Sequence, residues 1–204
     1  MRVIGITGGS GSGKSLLSRI FAEKGIVSLD TDAVYHYITD HAGACVEELT
    51  AAFGDKILNT DRSLNRRVLA DIVFHNDAGR DGRVRLLGEI THKYVRRECT
   101  AWLRNQEKSH AAFAVLDVPL LFESGFDALC DITIAVLASR ETRLARIVSR
   151  DGIPRERAEA RISAQPDEAF YRAHADYVLR NDGDMAAFRR EAAALFCTLG
   201  IDAG

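Results

Sequence analysis

The segment Gly8–Ser15 constrains the fold of this chain more than any other stretch. It spells G-x-x-x-x-G-K-S, with four glycines ahead of Lys14 and Ser15. An apolar run, Val3–Ile6, precedes the segment and indicates a buried strand, while apolar residues at helical spacing follow from Leu16 onward. A strand, a glycine-rich loop and a helix in this order predict a phosphate-binding loop (P-loop), because backbone N–H groups and the positive end of the helix would face an anion.

Each part of the loop has an expected role. Lys14 would reach the β- and γ-phosphates of a nucleoside triphosphate, and the Ser15 hydroxyl would ligate Mg²⁺. A plain turn between a strand and a helix would have no use for Lys-Ser at the helix start, so this alternative is disfavoured. The residues of the loop predicted to bind ATP are Gly9, Ser10, Gly11, Ser12, Gly13, Lys14, Ser15 and Leu16.

The pattern of apolar runs predicts an α/β fold with a five-stranded parallel sheet flanked by helices. The predicted strands are Val3–Thr7, Ile26–Asp30, Phe113–Asp117, Asp131–Leu137 and Tyr177–Leu179. The gap between the second and third strands is too long for one crossover helix, so it predicts an inserted helical subdomain, broken by a turn at Asn59–Ser63. One domain, residues 1–204, is expected, with a core at about 1–31, 112–138 and 173–204, an insert at about 32–111 and an arginine-rich lid segment at about 139–172.

Composition excludes several classes of protein. A net charge of −2 gives no basic field that would attract nucleic acid or a membrane surface, and no apolar run is long enough to span a bilayer. Because the N-terminus leads directly into the first predicted strand, no signal peptide is expected. The four cysteines are widely spaced and the six histidines lack metal-ligand spacing, so neither disulfides nor a protein-built transition-metal site is expected. These features favour the cytoplasm.

Two carboxylates follow the second predicted strand, at Asp30 and Asp32. Functional groups of an open parallel sheet cluster beyond the carboxyl ends of its strands, so this pair and the P-loop are expected to face one crevice. Asp32 is the candidate for orienting an acceptor hydroxyl and taking its proton. Asp30 is a candidate for holding the loop or a Mg²⁺-bound water, with helix N-capping as the alternative for both residues.

The third predicted strand ends in Asp117, within Leu116-Asp-Val-Pro-Leu-Leu-Phe-Glu123. Apolar residues ending in Asp resemble a Walker B strand, whose carboxylate orients Mg²⁺, often through water. Asp117 is therefore a candidate metal residue, and capping of the next turn is the alternative. Glu123 emerges on the same side and is a candidate for contacting substrate or capping a helix.

Arginines concentrate in the lid segment. Arg143, Arg146 and Arg150 lie on one helix face, and Asp151-Gly-Ile-Pro154 would end that helix before a second short one. Arginine suits multidentate phosphate contacts, and closure of such a segment would exclude water from the reaction. We interpret Arg146 and Arg150 as phosphate ligands, and Arg155 and Arg157 as part of a solvated face.

The last predicted strand leads into Arg180-Asn-Asp-Gly183, which is typical of a turn. It opens at the crevice side of the sheet. Its backbone is therefore expected to contact the adenine edge of ATP, and Asn181 is included among the candidate ATP-binding residues.

The combination of motifs predicts a small P-loop kinase. The chain lacks an Asn-Lys-x-Asp guanine-reading motif and is too short for most ATPase machines. The alternatives are another small P-loop kinase, acting on a nucleoside monophosphate or a small metabolite, and a sensor or binding protein that closes on ATP without catalysis.

The chain resembles the dephospho-coenzyme A kinase family over nearly its whole length. The matching segments are Ile6–Ser15, Asp30-Thr-Asp32, Phe53-Gly54, Leu64-Asn-Arg66, Ile90-Thr-His92, Asp117–Glu123, Arg146, Arg150-Asp151, Arg161-Ile162, Gln165, Ala175-Asp176 and Asn181-Asp-Gly183. The P-loop is common to many kinases, whereas Val-Pro-Leu-Leu-Phe-Glu in this order is much more specific.

The resemblance implies a nucleotide-kinase-like fold and transfer of the γ-phosphoryl group of ATP to the ribose 3′-hydroxyl of dephospho-coenzyme A (dephospho-CoA), the last step of coenzyme A (CoA) biosynthesis. Asp32 matches the proposed base, and Arg146 matches an arginine that stabilises transferred charge, with Lys14 as the third catalytic residue. ATP and dephospho-CoA are the implied partners, Mg²⁺ the implied ion, and a monomer the working expectation. The implied substrate-binding residues are Asp32, Leu64, Arg66, His92, Leu120 and Glu123.

The chain departs from the family pattern at four positions. Leu16 stands where threonine is usual, and Thr31 stands where alanine is usual, both as mild changes. Lys93 replaces a proline after His92, which is expected to alter the start of a helix there. Arg143 stands where glutamine is common, so the resemblance gives it no role.

Overall fold

The structure is a computed structural model that describes residues 1–41, 43–74 and 79–201. The strands are β1 (Arg2–Thr7), β2 (Ser28–Asp30), β3 (Phe113–Asp117), β4 (Ile132–Leu137) and β5 (Tyr177–Arg180). The α-helices are α1 (Lys14–Glu23), α2 (Thr31–Asp40), α3 (Ala44–Phe53), α4 (Arg66–Val73), α5 (Arg80–Lys108), α6 (Arg140–Asp151), α7 (Arg155–Ser163), α8 (Glu168–His174) and α9 (Met185–Leu199).

The five strands form one sheet in the order β2-β3-β1-β4-β5. β1 lies at the centre and pairs in parallel with β3 (Ile6 opposite Asp117) and with β4 (Ile6 opposite Ile134). β4 is buried along its whole length and apolar except for Thr133, as is typical of a parallel strand with both faces covered. The predicted α/β class and five-stranded parallel sheet are confirmed.

The chain divides into two compact units. Unit 1 comprises residues 1–29 and 106–204, and unit 2 comprises residues 30–105. The insert was predicted at about 32–111, and unit 2 spans residues 30–105. Residues 42, 75–78 and 202–204 belong to the predicted ranges but lie outside the part of the chain that the structure describes.

Unit 1 contains a core between its sheet and the helices α1 and α9. Ile4, Ile6 and Ile134 come from the strands, while Phe21 and Phe196 approach each other from the two helices with ring centroids 4.6 Å apart. This packing holds α1, the helix that begins in the P-loop, against the sheet.

The lid segment of unit 1 contains two helices in succession, as predicted. Ser139 caps α6 by accepting the N–H of Thr142, and Gly152 ends this helix in a left-handed conformation. Leu144 and Ile147 of α6 pack against Ala158 and Ile162 of α7. The two helices therefore share a small core of their own.

Unit 2 has a separate hydrophobic core. Leu49 and Val73 are fully buried there, together with Cys45, Val46, Ile57, Leu64, Leu69 and Ile90. The predicted turn after Leu58 is confirmed, with Arg62 in a left-handed conformation at φ 66° and Leu58 and Leu64 forming an isolated antiparallel bridge.

α5 corrects one expectation about unit 2. The helix begins at Arg80, so His92 and Lys93 lie in its interior, and the prediction of a helix start at this point was wrong. Lysine has a backbone N–H that continues the helical hydrogen-bond pattern, whereas proline lacks it.

Cys45, Cys99, Cys130 and Cys197 are free thiols. Burial raises the pKa of both Cys45 and Cys99 to about 11. Within the described residues, no helix is long and apolar enough to cross a bilayer.

Candidate active site

The P-loop in unit 1 connects β1 with α1 through three glycines of positive φ. These are Gly8 (147°), Gly11 (78°) and Gly13 (98°), and the last is the N-cap residue of α1. The N–H of Ser12 donates to the carbonyl of Gly9 at 3.0 Å, which tightens the loop. Since the first N–H groups of an α-helix lack acceptors within the helix, this end of α1 is suited to an anion.

Lys14 and Asp117 form an ion pair beside the loop. Asp117 ends β3, next to the central strand, and only 7% of it is exposed. Its other carboxylate oxygen accepts the hydroxyl of Ser18 at 2.9 Å. The structure thus brings Lys14 together with the predicted metal residue, and the contact of Ser18 was not predicted.

Arg146 and Asn181 both contact the carbonyl groups of the P-loop. Arg146 Nη1 lies 3.3 Å from the Gly11 oxygen and 3.4 Å from the Ser12 oxygen. Asn181 is buried, and its amide Nδ2 donates to the Ser12 oxygen at 2.7 Å. Two predicted residues from distant parts of the sequence therefore lie at the same loop. For Asn181 the prediction was a backbone contact with adenine, whereas the contact in the structure is made by its side chain.

Arg143 and Gln165 also contact the P-loop, and reasoning from the residues missed both. Arg143 Nε donates to the Ser10 carbonyl at 2.9 Å, and Nη2 donates to Gln165 Oε1 at 2.5 Å. Burial lowers the pKa of the Arg143 guanidinium, which nevertheless stays charged. The available signal was the position of Arg143 on α6, one turn before Arg146.

Arg150 differs in its surroundings from Arg146. Its guanidinium is mostly exposed, and its hydrogen bonds in the structure go to Asp151, at 2.6 and 3.1 Å. Arg161 shares the same carboxylate at 2.6 Å. The bonds from Arg150, followed by the charge of Arg150 and the contact of Arg161, lower the pKa of Asp151 to about 2.

Arg155 contacts Glu159 at 3.3 Å and Glu141 at 3.6 Å on an exposed surface. This arrangement agrees with the solvated face that the sequence predicts for Arg155.

Leu120 and Glu123 lie in the turn after β3. Half of Leu120 is exposed, and its carbonyl accepts the N–H of Ser124 at 3.0 Å. Glu123 is exposed. Burial, and secondly the charge of Glu123, raises the pKa of Tyr171 to about 12.

In unit 2, Asp30 and Asp32 have different surroundings. Asp30 is the N-cap of α2, and its Oδ1 accepts the N–H of Asp32 at 2.9 Å and that of Ala33 at 3.4 Å. The capping alternative thus describes Asp30. Asp32 lies in the first turn of α2 with an exposed side chain, and its backbone is fixed by the cap.

Three further predicted residues belong to unit 2. Leu64 is buried in the core. Arg66 opens α4, and its Nη2 donates to the Thr39 hydroxyl at 2.9 Å and to Asp40 at 2.5 Å. His92 is half-buried on α5, and burial, with a smaller contribution from Arg96, lowers the pKa of its imidazole.

Comparison with known proteins identifies the family of this chain. The model of the dephospho-CoA kinase family matches residues 2–187. This chain belongs to the dephospho-CoA kinase family. The resemblance noted from the sequence is confirmed.

Individual relatives agree along nearly the whole chain. A dephospho-CoA kinase of Lactobacillus johnsonii is 33% identical over 197 residues, which cover 97% of this chain and 98% of that protein. One of Symbiobacterium thermophilum is 36% identical over 194 residues, covering 95% and 80%.

Solved structures support the same fold. Dephospho-CoA kinase from Campylobacter jejuni matches with a TM-score of 0.71 and 28% identity, covering 98% of both chains. A protein from Thermus thermophilus matches with a TM-score of 0.79 and 33% identity, covering 100% and 98%. Shikimate kinase from Acinetobacter baumannii, at 17% identity and a TM-score of 0.54 over 100% and 96% of the chains, shares the P-loop kinase fold.

Proposed function

We propose that this protein transfers the γ-phosphoryl group of ATP to the ribose 3′-hydroxyl of dephospho-CoA, giving CoA and ADP. The observation that carries the proposal is the arrangement at the P-loop, where Lys14, Arg146 and Asn181 are located. All three residues lie within residues 2–187, the range matched by the model of the dephospho-CoA kinase family. Phosphoryl transfer requires positioning and charge neutralisation more than covalent chemistry, and this arrangement suits both.

The donor would lie along the P-loop. Backbone N–H groups at the start of α1 would bind the phosphates, and Lys14 would turn from Asp117 to the β- and γ-phosphates. Arg146, already at the loop carbonyls, would contact the transferred group. Arg150 would join it only by leaving Asp151.

Mg²⁺ fits the oxygen groups beside the loop. Ser15 is exposed at the first turn of α1, and Asp117 provides a carboxylate that pairs with the adjacent Lys14. Both are the hard oxygen ligands that Mg²⁺ prefers, with Asp117 acting directly or through water. The bound ion would neutralise charge on the β- and γ-phosphates.

Unit 2 would supply the acceptor side. Asp32 would orient the 3′-hydroxyl and take its proton, since its side chain is exposed and its backbone is fixed by Asp30. Leu64, Arg66 and His92, with Leu120 and Glu123 of unit 1, are the residues proposed to bind dephospho-CoA.

The decisive experiment incubates the protein with dephospho-CoA, ATP and Mg²⁺ and identifies the product by mass and by the position of the new phosphate. We expect CoA phosphorylated at the ribose 3′ position. Turnover of AMP, CMP or another small acceptor, with none of dephospho-CoA, would instead assign a different P-loop kinase. ATP binding without turnover of any acceptor would favour a sensor.

The variant Asp32→Asn tests the proposed base in the same assay. It keeps the size and a hydrogen-bonding oxygen but cannot take a proton, so we expect unchanged ATP affinity and a loss of about 100-fold or more in kcat. Asp30→Asn, which retains a good N-cap residue, is the control and should stay near wild type. Near-wild-type kcat in Asp32→Asn would remove Asp32 from its proposed role.

The setting of this activity is also part of the proposal. The protein would act as a monomer in the cytoplasm on small-molecule substrates, without nucleic acid or membrane. The free thiols support a reducing compartment. Light scattering of the purified protein measures the oligomeric state, and fluorescence imaging of a tagged chain measures the location.

A further inference from the structure

Ser10 of the P-loop is held on both sides of its backbone by side chains of the lid segment. Its carbonyl accepts Nε of Arg143 at 2.9 Å, and its N–H donates to Oε1 of Gln165 at 3.0 Å. Gln165 Nε2 also donates to the Ser10 hydroxyl at 3.2 Å. Because Arg143 Nη2 donates to the same Gln165 Oε1 at 2.5 Å, the three residues form a closed network.

The backbone of α6 also contacts the loop directly at this point. A Cβ on Gly11 would lie 2.6 Å from the carbonyl oxygen of Arg143, and one on Gly9 would overlap its guanidinium. Gly11 has a φ of 78°, so glycine is required here both for conformation and for space. The start of α6 thus packs directly against Gly9 and Gly11, where the loop has no side chains.

From this geometry we infer that Arg143 and Gln165 are positioning residues that fix α6 to the P-loop at Ser10 and thereby hold Arg146 at the loop. Arg146 lies one turn further along the same helix, and its own contacts with the loop are long, at 3.3 and 3.4 Å. The shorter bonds of Arg143 therefore determine where Arg146 lies. The kinetic part of this inference rests on the proposed function, in which Arg146 contacts the transferred group.

The network is separate from the packing that holds the lid segment together. Leu144 and Ile147 bury the other side of α6 against Ala158 and Ile162 of α7. Removing the guanidinium of Arg143 leaves this core intact, so the helix is expected to stay folded. A loss of activity would then come from the position of Arg146.

Hydrogen exchange tests the network without any substrate. The amide of Ser10, resolved by fragmentation, should exchange at least about tenfold faster in Gln165→Ala, which removes its acceptor, and in Arg143→Ala, which removes the bond to the Ser10 carbonyl and to Gln165 itself. Arg140→Ala is the matched control, because Arg140 lies one turn earlier on α6 at an exposed position, and its hydrogen bond in the structure goes to Ser163, at 3.4 Å. Unchanged exchange at Ser10 in the first two variants would overturn the inference.

Steady-state kinetics test the consequence for catalysis. We expect Arg143→Ala to lower kcat about tenfold or more with less than about a threefold change in the KM for ATP, while Arg140→Ala leaves both unchanged. Arg143→Lys should recover only part of kcat, because one ammonium group cannot donate to Ser10 and Gln165 as the planar guanidinium does. Full recovery by lysine, or equal losses in kcat, ATP affinity and melting temperature, would contradict a positioning role.

The double variant Arg143→Ala/Gln165→Ala separates one network from two independent contacts. Its loss of kcat should match that of Arg143→Ala within about twofold, since the residues act through the same Ser10. Multiplied losses would overturn the inference. If the wild type does not phosphorylate dephospho-CoA, the proposed function fails, whereas the exchange experiment still decides whether the network exists.

Discussion

Lys14 lies against an anion within the protein before any nucleotide arrives. Its ammonium pairs with Asp117, and both side chains are largely buried, at 17% and 10% exposure. An incoming phosphate therefore competes with this carboxylate for the same cation and meets its negative charge. A bound divalent cation would offset that charge, so Asp117 is expected to couple the affinity for ATP to Mg²⁺.

Asp117→Asn measures this coupling. The amide keeps an oxygen for Ser18 but removes the negative charge, so ATP should bind several-fold more tightly in the presence of a chelator. With Mg²⁺ present, kcat should fall by about tenfold or more, since the metal loses a carboxylate. Calorimetric titrations with and without Mg²⁺ give both affinities. Weaker ATP binding in the chelator would contradict this account, and Ser18→Ala serves as the control that leaves the charge in place.

His92 makes stability depend on pH. Its folded pKa is lowered, chiefly by burial, so the unfolded chain binds a proton more readily than the folded chain. Its contribution to stability is complete above pH 6.5, the ordinary pKa, and is lost as the pH falls from there through the lowered folded value.

His92→Gln should therefore flatten the fall in melting temperature between about pH 7.5 and pH 5, because glutamine does not titrate. Calorimetric scans across this range make the comparison. His41→Gln, at an exposed position of the same unit, is the control and should follow the wild type. An equal slope in all three proteins would show that His92 does not contribute.

The local sequence predicts some residues of the site and is silent on others. Lys14 and Ser15 follow from contiguous spacing, and Asp117 follows from a short apolar strand. Arg143 and Gln165 meet at Ser10 only after residues 10, 143 and 165 are brought together by tertiary packing. No periodic pattern in the sequence indicates these contacts, and they were therefore not predicted.

At the scale of secondary structure, two glycines with similar conformations are expected to differ in importance. Gly13 caps the start of α1 with φ 98°, and Gly152 ends α6 with φ 63°. A Cβ on Gly152 would meet nothing within 4 Å, whereas one on Gly13 would overlap the amide of Asn181. Only Gly13 combines backbone strain with a collision.

Gly152→Ala should cost about 1 kcal/mol of stability from the left-handed conformation alone, with ATP affinity unchanged. Gly13→Ala should destabilise more and also weaken ATP binding, because Asn181 must move from the Ser12 carbonyl. Urea denaturation and ATP titration of both variants test this contrast. Equal effects on ATP binding would show that Asn181 is not tied to the loop.

Element boundaries could be predicted where a residue has one strong local preference. The buried run Phe113–Asp117 gave β3 with its observed ends, and Asp30 marked the start of α2 as its cap. The helix start expected near His92 was wrong because Lys93 can donate within a helix, so α5 continues from Arg80 to Lys108.

At the scale of the whole molecule, each unit has its own hydrophobic core. Leu49 is fully buried in unit 2 and Ile134 in unit 1. The P-loop residues all belong to unit 1. Damage to one core is therefore expected to affect ATP binding differently from damage to the other.

Leu49→Ala should lower the stability of unit 2 by about 3 kcal/mol, as for other cavities in a buried core, and leave ATP affinity within about twofold. Ile134→Ala is the matched change in unit 1 and should weaken ATP binding as well. Exchange of amides in residues 30–105 and ATP titration measure the two effects. A tenfold loss of ATP affinity in Leu49→Ala would show that the cores are coupled.

The order of strands in the sheet has a consequence for synthesis of the chain on the ribosome. β1 is central, yet its partner β3 follows about 110 residues later, with Arg2 opposite Phe113. At roughly 5–20 residues per second, the apolar strand waits for about 5–20 s before a neighbour is made. The residues of unit 2 emerge during that interval and have a core of their own to form. The middle of the chain is thus able to fold before its beginning.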